Sequence, residues 1–403
     1  MLKKKSNARS VVEATLDKIS GLSRPAKKFI IHIVDLWLGM NCRYRFSNMV
    51  RWGGMSDKSY RNAFGREFDW FAFNERLIRE NCGQEIIAVF DPSYIKKSGK
   101  QTFGMGTWWS GVSQRALRGV EIGCLAFVDV AAHTALHGIA VQTPGKAPEG
   151  EGRSLVQHYV NIIETRADSI LRFTRYLAVD GYFMKKEFIR PIVEKGLHII
   201  TKPRADANMN YLYKGSQKGR GRKRIYDGKI DIGQIDKRRI KCCHKADGLT
   251  IYAGLAYCVM LKQVVMAAFV YYGSKMKPEI IICTDTQIEP KKMCEYHGLR
   301  FQVEFHIRDA KQHTGLEDCM ARDETKLSMH FNISMSVVSI AKVAYHLSVQ
   351  KDKRNSFSMA DIKMYYMNKL ITDRIFSNLE IDLSCRKIKK VYAECLNFGR
   401  LRA

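Results

Sequence analysis

Two short apolar segments that each lead into an aspartate constrain the fold more than any other feature. EIIAVFD covers residues 85–91 and RYLAVDGYF covers residues 175–183, so Asp91 and Asp180 each follow a run typical of a buried strand. Further segments alternate with them: an apolar hairpin at 120–132 and 135–143, a helix at about 152–172, a helix near 184–195 and a strand at 197–201. We therefore expect the order β, β, β, α, β, α, β, which predicts a mixed α/β sheet with flanking helices.

The two aspartates are expected at the carboxyl ends of their strands, where open α/β sheets bind ligands. A charged group at the end of a buried strand has to be paired or bound to a cation. One aspartate in such a place is more often an ordinary turn residue. Two of them on neighbouring strands favour a shared site for Asp91 and Asp180.

A third acidic residue lies in the predicted helix at residues 296–315. At 100° per residue, four charged side chains fall on one stripe of this helix: Arg300, Glu304, Arg308 and Lys311. One carboxylate among three cations suits a metal-binding glutamate whose neighbours hold phosphates. The alternative is a solvated helix face with salt bridges from Glu304 to Arg300 and Arg308. Phe301 and Phe305 beside the stripe are expected to pack the helix onto the core.

The charge balance indicates a polyanionic partner. The 403 residues include 67 Lys and Arg against 40 Asp and Glu, for a formal net charge of +27. Charge alone does not separate DNA from RNA or from an anionic membrane surface. The longest apolar stretch, at 251–272, is interrupted by Lys262-Gln263 and predicts two strands instead of a membrane span. Eleven cysteines without regular spacing predict free thiols. We therefore expect a soluble, intracellular protein with no membrane partner.

The chain divides into four parts by pattern. Residues 1–80 are predicted helical, and 46–68 within them resemble a helix–turn–helix whose second helix exposes Lys58, Arg61 and Arg66 to DNA. A plain helical hairpin with a basic face is an equally supported alternative. Residues 85–204 and 286–350 form the predicted α/β core, 205–285 a β-rich insertion with the basic loop 214–224, and 351–403 a helical C-terminal region. The pair Trp108-Trp109 is expected in the core in preference to a stacking role on an extruded base.

The order strand–Asp, strand–Asp, helix–Glu resembles the ribonuclease H-like core of DDE transposases. The residues Tyr296, Arg300, Glu304 and Lys311 are similar to the Tyr–Arg–Glu–Lys signature of the insertion-sequence-four family. The Arg–Glu and Glu–Lys intervals match that signature, and the Tyr–Arg interval is one residue longer than the family's. AVFDPSYIKKSG and YLAVDGYF resemble the two aspartate motifs, and a β-rich insertion is also a family feature.

This resemblance implies a DNA transposase in which Asp91, Asp180 and Glu304 bind two Mg²⁺ ions, with Mn²⁺ as a substitute. Its partners would be double-stranded DNA, namely transposon terminal repeats and target DNA, bound by a homodimer on paired ends. Tyr296, Arg300 and Lys311 would contact DNA, and we add Arg308, Lys202 and Arg204 as phosphate contacts. The alternatives are an idle transposase-derived DNA-binding protein and a related nuclease of the same fold.

Overall fold

The computed structural model describes residues 7–145, 154–203, 207–246, 248–273, 277–349 and 356–401. Five helices come first: α1 (Ala8–Asp17), α2 (Arg24–Gly39), α3 (Phe46–Gly53), α4 (Asp57–Phe64) and α5 (Trp70–Asn81). The α/β region follows with β1 (Ile86–Lys96), β2 (Gly106–Ser110), β3 (Arg115–Asp129), β4 (Thr134–Gln142), α6 (Leu155–Glu164), α7 (Ala167–Leu171), β5 (Tyr176–Val179), α8 (Lys186–Glu194) and β6 (His198–Thr201). The next strands are β7 (Met209–Leu212), β8 (Tyr226–Lys229), β9 (Lys241–Ala246), β10 (Leu249–Cys258), β11 (Gln263–Tyr272) and β12 (Glu279–Cys283). The last helices are α9 (Pro290–Leu299), α10 (Phe301–His313), α11 (Glu324–Ser348), α12 (Met359–Asn378) and α13 (Arg386–Asn397).

The strands form one mixed sheet, which confirms the predicted fold class. Its order is β2-β3-β1-β5-β6-β12-β11-β10-β7-β8, with β4 paired to β3 and β9 paired to β10. Strands β1, β5 and β6 run parallel to one another, and β3 pairs antiparallel with β1. The sub-order β4-β3-β1-β5-β6 places the strands that lead to Asp91 and Asp180 side by side.

The β-rich segment does not make a sheet of its own. Its strands join the core sheet through β12, which pairs with β6 on one side and with β11 on the other. The predicted pair of strands at 251–272 is the hairpin β10–β11. The insertion therefore extends the core sheet beyond β6.

Three boundaries differ from the predicted ones. The long helix expected at 152–172 is two helices, α6 and α7. Strand β1 does not end at Asp91 but continues to Lys96, because β3 provides an antiparallel partner along its whole length. The helix expected at 296–315 is divided at Arg300 into α9 and α10.

The N-terminal helices share their core with the sheet. Buried apolar side chains from α1 to α5, from the strands and from α9 to α11 form one continuous cluster. The central element is α11, whose Asn332 side chain accepts a hydrogen bond from Ala140 N and donates one to Ala140 O on β4. The division into domains remains a prediction, since one core joins the helical and α/β parts.

One helix within the described ranges, Glu324–Ser348, is long and apolar enough to cross a bilayer. It is the central core helix α11, and 89% of its most apolar stretch is buried inside the protein. That degree of burial is typical of the core helix of a globular protein. All eleven cysteines are free thiols, as predicted.

Candidate active site

Three carboxylates from separate elements line one large cleft, of about 1780 Å³. Asp91 comes from the middle of β1, Asp180 directly follows β5, and Glu304 lies in the first turn of α10. Strands β1 and β5 pair in parallel with Phe90 opposite Val179, so the next residue on each strand is an aspartate at the same level of the sheet. The sheet register therefore brings together two residues that are 89 positions apart in the sequence, since 180 − 91 = 89.

The environment of Asp91 disfavours an isolated negative charge. The pKa of Asp91 is raised to about 7, mainly by burial and also by the nearby carboxylates of Glu304 and Asp180, which together outweigh the lowering effect of Arg300. A bound cation would reverse the effect of these like charges. The site is thus electrostatically suited to a metal ion.

Glu304 is held by Arg300, one turn before it on the same helical stretch. Arg300 Nη1 donates to Glu304 Oε1 at 3.0 Å, and the Arg300 residue is only 7% exposed. One of the two salt bridges of the alternative interpretation is therefore present. Within the described ranges Arg308 does not pair with Glu304; its guanidinium lies 4.9 Å from the centre of the Phe305 ring and 3.7 Å from Asp309 Oδ1.

Two cations of the predicted stripe line the same cleft as the carboxylates. Arg308 is more than half exposed, with its guanidinium available to a ligand. Lys311 is largely enclosed, and its Nζ donates to the carbonyl oxygen of Tyr94 at 2.7 Å. Lys311 therefore joins α10 to β1 as well as facing the cleft.

Phe301 and Phe305 do not anchor α10, contrary to the prediction. They are 52% and 42% exposed. The helix is anchored instead by Val303, His306, Ile307 and Ala310, which are buried. The prediction was wrong because the side of α10 that packs on β4 and α11 is opposite to the side that carries Phe301 and Phe305.

Tyr296 is not part of the cleft. It is 3% exposed, and its hydroxyl donates to Glu85 Oε1 at 2.7 Å, beside the start of β1 and not near Asp91. A direct DNA contact by Tyr296 is therefore not supported by its position. The extra residue between Tyr296 and Arg300 is consistent with this displacement.

The remaining predicted contacts lie outside the cleft. Lys202 is exposed and pairs with Glu279 at 3.0 Å, and Arg204 lies outside the described residues. Lys58, Arg61 and Arg66 are exposed on or just after α4, which begins after the N-cap Ser56. Arg61 is partly engaged, since it pairs with Asp57 and lies over the Phe46 ring at 4.7 Å.

A fourth carboxylate, Glu121 on β3, lines the cleft and was not predicted. Its Oε1 accepts hydrogen bonds from the Tyr159 hydroxyl at 2.5 Å and from Thr143 Oγ1 at 3.0 Å, and burial raises its pKa. The available sequence signal was a charged residue inside the apolar run 120–132.

The core position expected for the pair Trp108-Trp109 was wrong for Trp109, which is 60% exposed and lines the cleft.

The donor set suits a hard divalent cation, because carboxylate oxygens are the ligands that Mg²⁺ prefers. Within the described part of the chain, however, no three acidic, histidine or cysteine side chains lie close enough together to hold an ion. Glu304 is turned toward Arg300. Metal binding therefore requires side-chain rearrangement of residues that already share one cleft.

One segment of the chain is similar to a known protein domain. Residues 154–338 match the family model of the transposase DDE domain. The matched transposase segment contains Asp180 and Glu304 and begins after Asp91. No curated protein matches the chain.

Proposed function

We propose that the chain is an insertion-sequence transposase that cuts DNA at the ends of its element and joins them to a target. The observation that carries this proposal is the convergence of Asp91, Asp180 and Glu304 from a strand, a strand end and a helix into one cleft. The match to the transposase DDE domain supports it for the segment that includes Asp180 and Glu304.

In this proposal Asp91, Asp180 and Glu304 hold two Mg²⁺ ions, for which Mn²⁺ can substitute. Such ions, when bound, supply an activated nucleophile and neutralise charge on the phosphate that is cut. The chain itself contributes the ionised carboxylates. Arg300 pairs with Glu304 in the absence of metal and favours the ionised form of Asp91.

The cations around the carboxylates would position the DNA backbone. Arg308 is the best placed, because it is exposed at the cleft and its guanidinium can pair with a phosphate bidentately. Lys311 would bind phosphate only in part, since its ammonium group is already bonded to β1. Lys58 and Arg66 near α4 supply a second basic surface, for sequence-specific contact with the terminal repeats.

Membership of the insertion-sequence-four family is part of the proposal. Arg300, Glu304 and Lys311 support it, because they keep the signature spacing, Glu304 and Lys311 line one cleft, and Arg300 is bonded to Glu304. Tyr296 departs from the signature in spacing and lies away from the carboxylates. Binding as a homodimer on paired ends is likewise proposed, and size-exclusion chromatography with light scattering on end-containing DNA would test it.

An excision assay tests the function. The protein is expressed in cells that carry a plasmid in which the DNA flanking its gene surrounds a marker, and excision of the marker is scored. We expect excision by the wild type, none by Glu304→Gln, and wild-type excision by Glu295→Gln, an exposed position on α9 that serves as a matched control. Equal excision by the wild type and Glu304→Gln would contradict the site assignment.

A second assay separates the proposed function from its alternatives. Purified protein, Mg²⁺ and a labelled duplex of the element's end are incubated with target plasmid. A transposase yields cleaved ends and covalently joined target, whereas a nuclease yields cleaved ends alone. End binding without cleavage by the wild-type chain would indicate an idle DNA-binding protein and contradict the proposal.

A further inference from the structure

The hairpin β2–β3 carries an exposed ribbon face that the proposed function does not use. Its two strands pair antiparallel through 106–110 and 115–119, and the tip residue Val112 is 96% exposed. Thr107 pairs with Arg118 and Trp109 pairs with Ala116, which places these four side chains on one face. All four are exposed. On the opposite face Ser110 is buried, Trp108 and Leu117 are half-buried and Arg115 is exposed, so the face with Trp109 is the more open of the two.

The strand register shows that this open face is the one that carries Asp91. Asp91 on β1 pairs with Cys124 on β3, and Trp109 on β2 pairs with Ala116 on β3. Neither pairing shows a register shift between these positions. Cys124 and Ala116 are eight residues apart on β3, which is an even number. Side chains at even spacing project from the same side of a sheet. A ligand at the carboxylates therefore lies on the side to which Trp109 and Arg118 also project.

The chemistry of the open face suits a nucleic acid. Trp109 and Thr107 line the same cleft as Asp91, Asp180 and Glu304, so the surface is continuous. Arg118 forms no ion pair with any residue for which the structure gives a position. A broad exposed indole beside an arginine provides apolar and phosphate contacts together, and a two-stranded ribbon has the width of a DNA major groove.

We propose that the β2–β3 ribbon is a second DNA-binding element, which lies in the major groove with Trp109 and Arg118 facing the duplex. This inference rests on the proposed function, because it takes the carboxylate cleft as the place of cleavage. Eight residues of strand span up to about 27 Å, less where the strand is twisted. At a rise of 3.4 Å per base pair, Trp109 contacts DNA about six to eight base pairs from the cut phosphate.

The test compares two duplexes of different length in the Glu304→Gln background, so that no cleavage occurs. The long duplex extends about 15 base pairs on each side of the cut and the short duplex about four, which is less than the distance to the ribbon. We expect Trp109→Ala with Arg118→Gln to weaken binding to the long duplex about tenfold and to leave the short duplex within about twofold. Arg118→Gln alone should reduce the slope of log affinity against log salt by about 0.9.

Arg190→Gln is the matched control for the loss of one positive charge. Arg190 is exposed on α8 and pairs with Glu194 outside the cleft lining, so its substitution should affect the two duplexes equally. An equal loss on both duplexes in the ribbon variant, or no loss on the long one, would overturn the ribbon proposal while leaving the cleft assignment intact. A protein that binds neither duplex would contradict the proposed function itself.

A photocrosslinking amino acid at position 109 then locates the contact. Crosslinks are expected about six to eight base pairs from the cut, and their side shows whether the ribbon holds the terminal repeat or the flanking DNA. The same amino acid at Phe398, which is 79% exposed in the C-terminal region, is the control and should give no crosslink in that window. Crosslinks from position 109 only to bases next to the cut would overturn the proposed groove contact.

Discussion

Arg300 and Glu304 form a salt bridge of 3.0 Å between Nη1 and Oε1 at the edge of the carboxylate cleft. Arg300 is almost fully buried, whereas the Glu304 side chain is 39% exposed. The arginine therefore competes with any metal ion for the same carboxylate. Its positive charge also offsets part of the repulsion among the carboxylates of Asp91, Asp180 and Glu304.

Magnesium is expected to stabilise the protein through this cleft. The wild type should melt at a higher temperature with Mg²⁺ than without it. The shift should correspond to about 2.7 kcal/mol in the free energy of unfolding when the Mg²⁺ concentration is a hundred times the dissociation constant. Asp91→Asn and Glu304→Gln should reduce the shift, and Glu295→Gln should not. Arg300→Gln should enlarge it, because Glu304 then has no competing cation. Calorimetry with and without Mg²⁺ measures these shifts, and a smaller shift in Arg300→Gln would contradict the competition.

Arg308 and Lys311 should differ in what their loss affects. Arg308→Gln removes an exposed cation and should weaken DNA binding with little change in the free energy of unfolding, within about 0.5 kcal/mol. Lys311→Met also breaks the bond to the Tyr94 carbonyl and should cost about 1–2 kcal/mol of stability. Urea unfolding and a binding titration on the same variants separate the two effects. Equal stability losses would show that the Lys311 bond contributes nothing.

The basic surface near α4 should contribute to end recognition unequally. Lys58→Gln and Arg66→Gln are each expected to weaken binding to duplex that contains the element's end. Each should also reduce the slope of log affinity against log salt concentration by about 0.9. Arg61→Gln should have a smaller effect, because Arg61 is already paired with Asp57 and packed on Phe46. Fluorescence anisotropy at several salt concentrations measures this order. The reverse order would favour the plain helical hairpin for residues 46–68.

Lys363 on α12 should be essential for joining this helix to the end of α2. Its buried ammonium group donates to Trp37 O, to Met40 O at 2.6 Å and to the Tyr44 hydroxyl at 2.6 Å. Lys363→Met should destabilise the protein by about 2–3 kcal/mol, since it leaves buried acceptors without donors. Lys369→Met on the same helix, where the side chain is partly exposed and pairs with Asp373, is the control and should cost about 0.5 kcal/mol or less. Similar losses in the two variants would contradict this role.

Acid should destabilise the protein through a buried histidine. Burial lowers the pKa of His137 to about 4, so the folded state binds its proton less readily than the unfolded state, whose pKa is near 6.5. Stability is therefore fully present above pH 6.5 and is lost as the pH falls toward 4, by about 3 kcal/mol from this group.

The variant His137→Gln tests that assignment, because its amide can still donate to Asn332 Oδ1, as His137 Nε2 does at 3.0 Å. Its unfolding free energy should fall less steeply between pH 6.5 and 4 than that of the wild type. His306, whose pKa is also lowered by burial, continues to contribute in the variant. His133→Asn, at an exposed turn, should keep the wild-type slope. An unchanged slope in His137→Gln would show that other groups control the acid transition.

The sequence by itself determined those features that depend on neighbours along the chain. The apolar runs before Asp91 and Asp180 predict their strands, and the spacing of Arg300, Glu304, Arg308 and Lys311 predicts one charged stripe. Local patterns also predicted the two strands at 251–272, which form the hairpin β10–β11. Each follows from backbone geometry over a few residues.

Only the tertiary structure decided how those elements meet. The continuation of β1 past Asp91 depends on pairing with β3, and the exposure of Phe301 and Phe305 depends on which flank of α10 rests on β4 and α11. The enclosure of Tyr296 and the entry of Trp109 into the cleft depend in the same way on distant partners. Hydrophobic periodicity shows that a side chain is apolar, but its burial depends on surfaces contributed by residues far away in the chain, which no local pattern records.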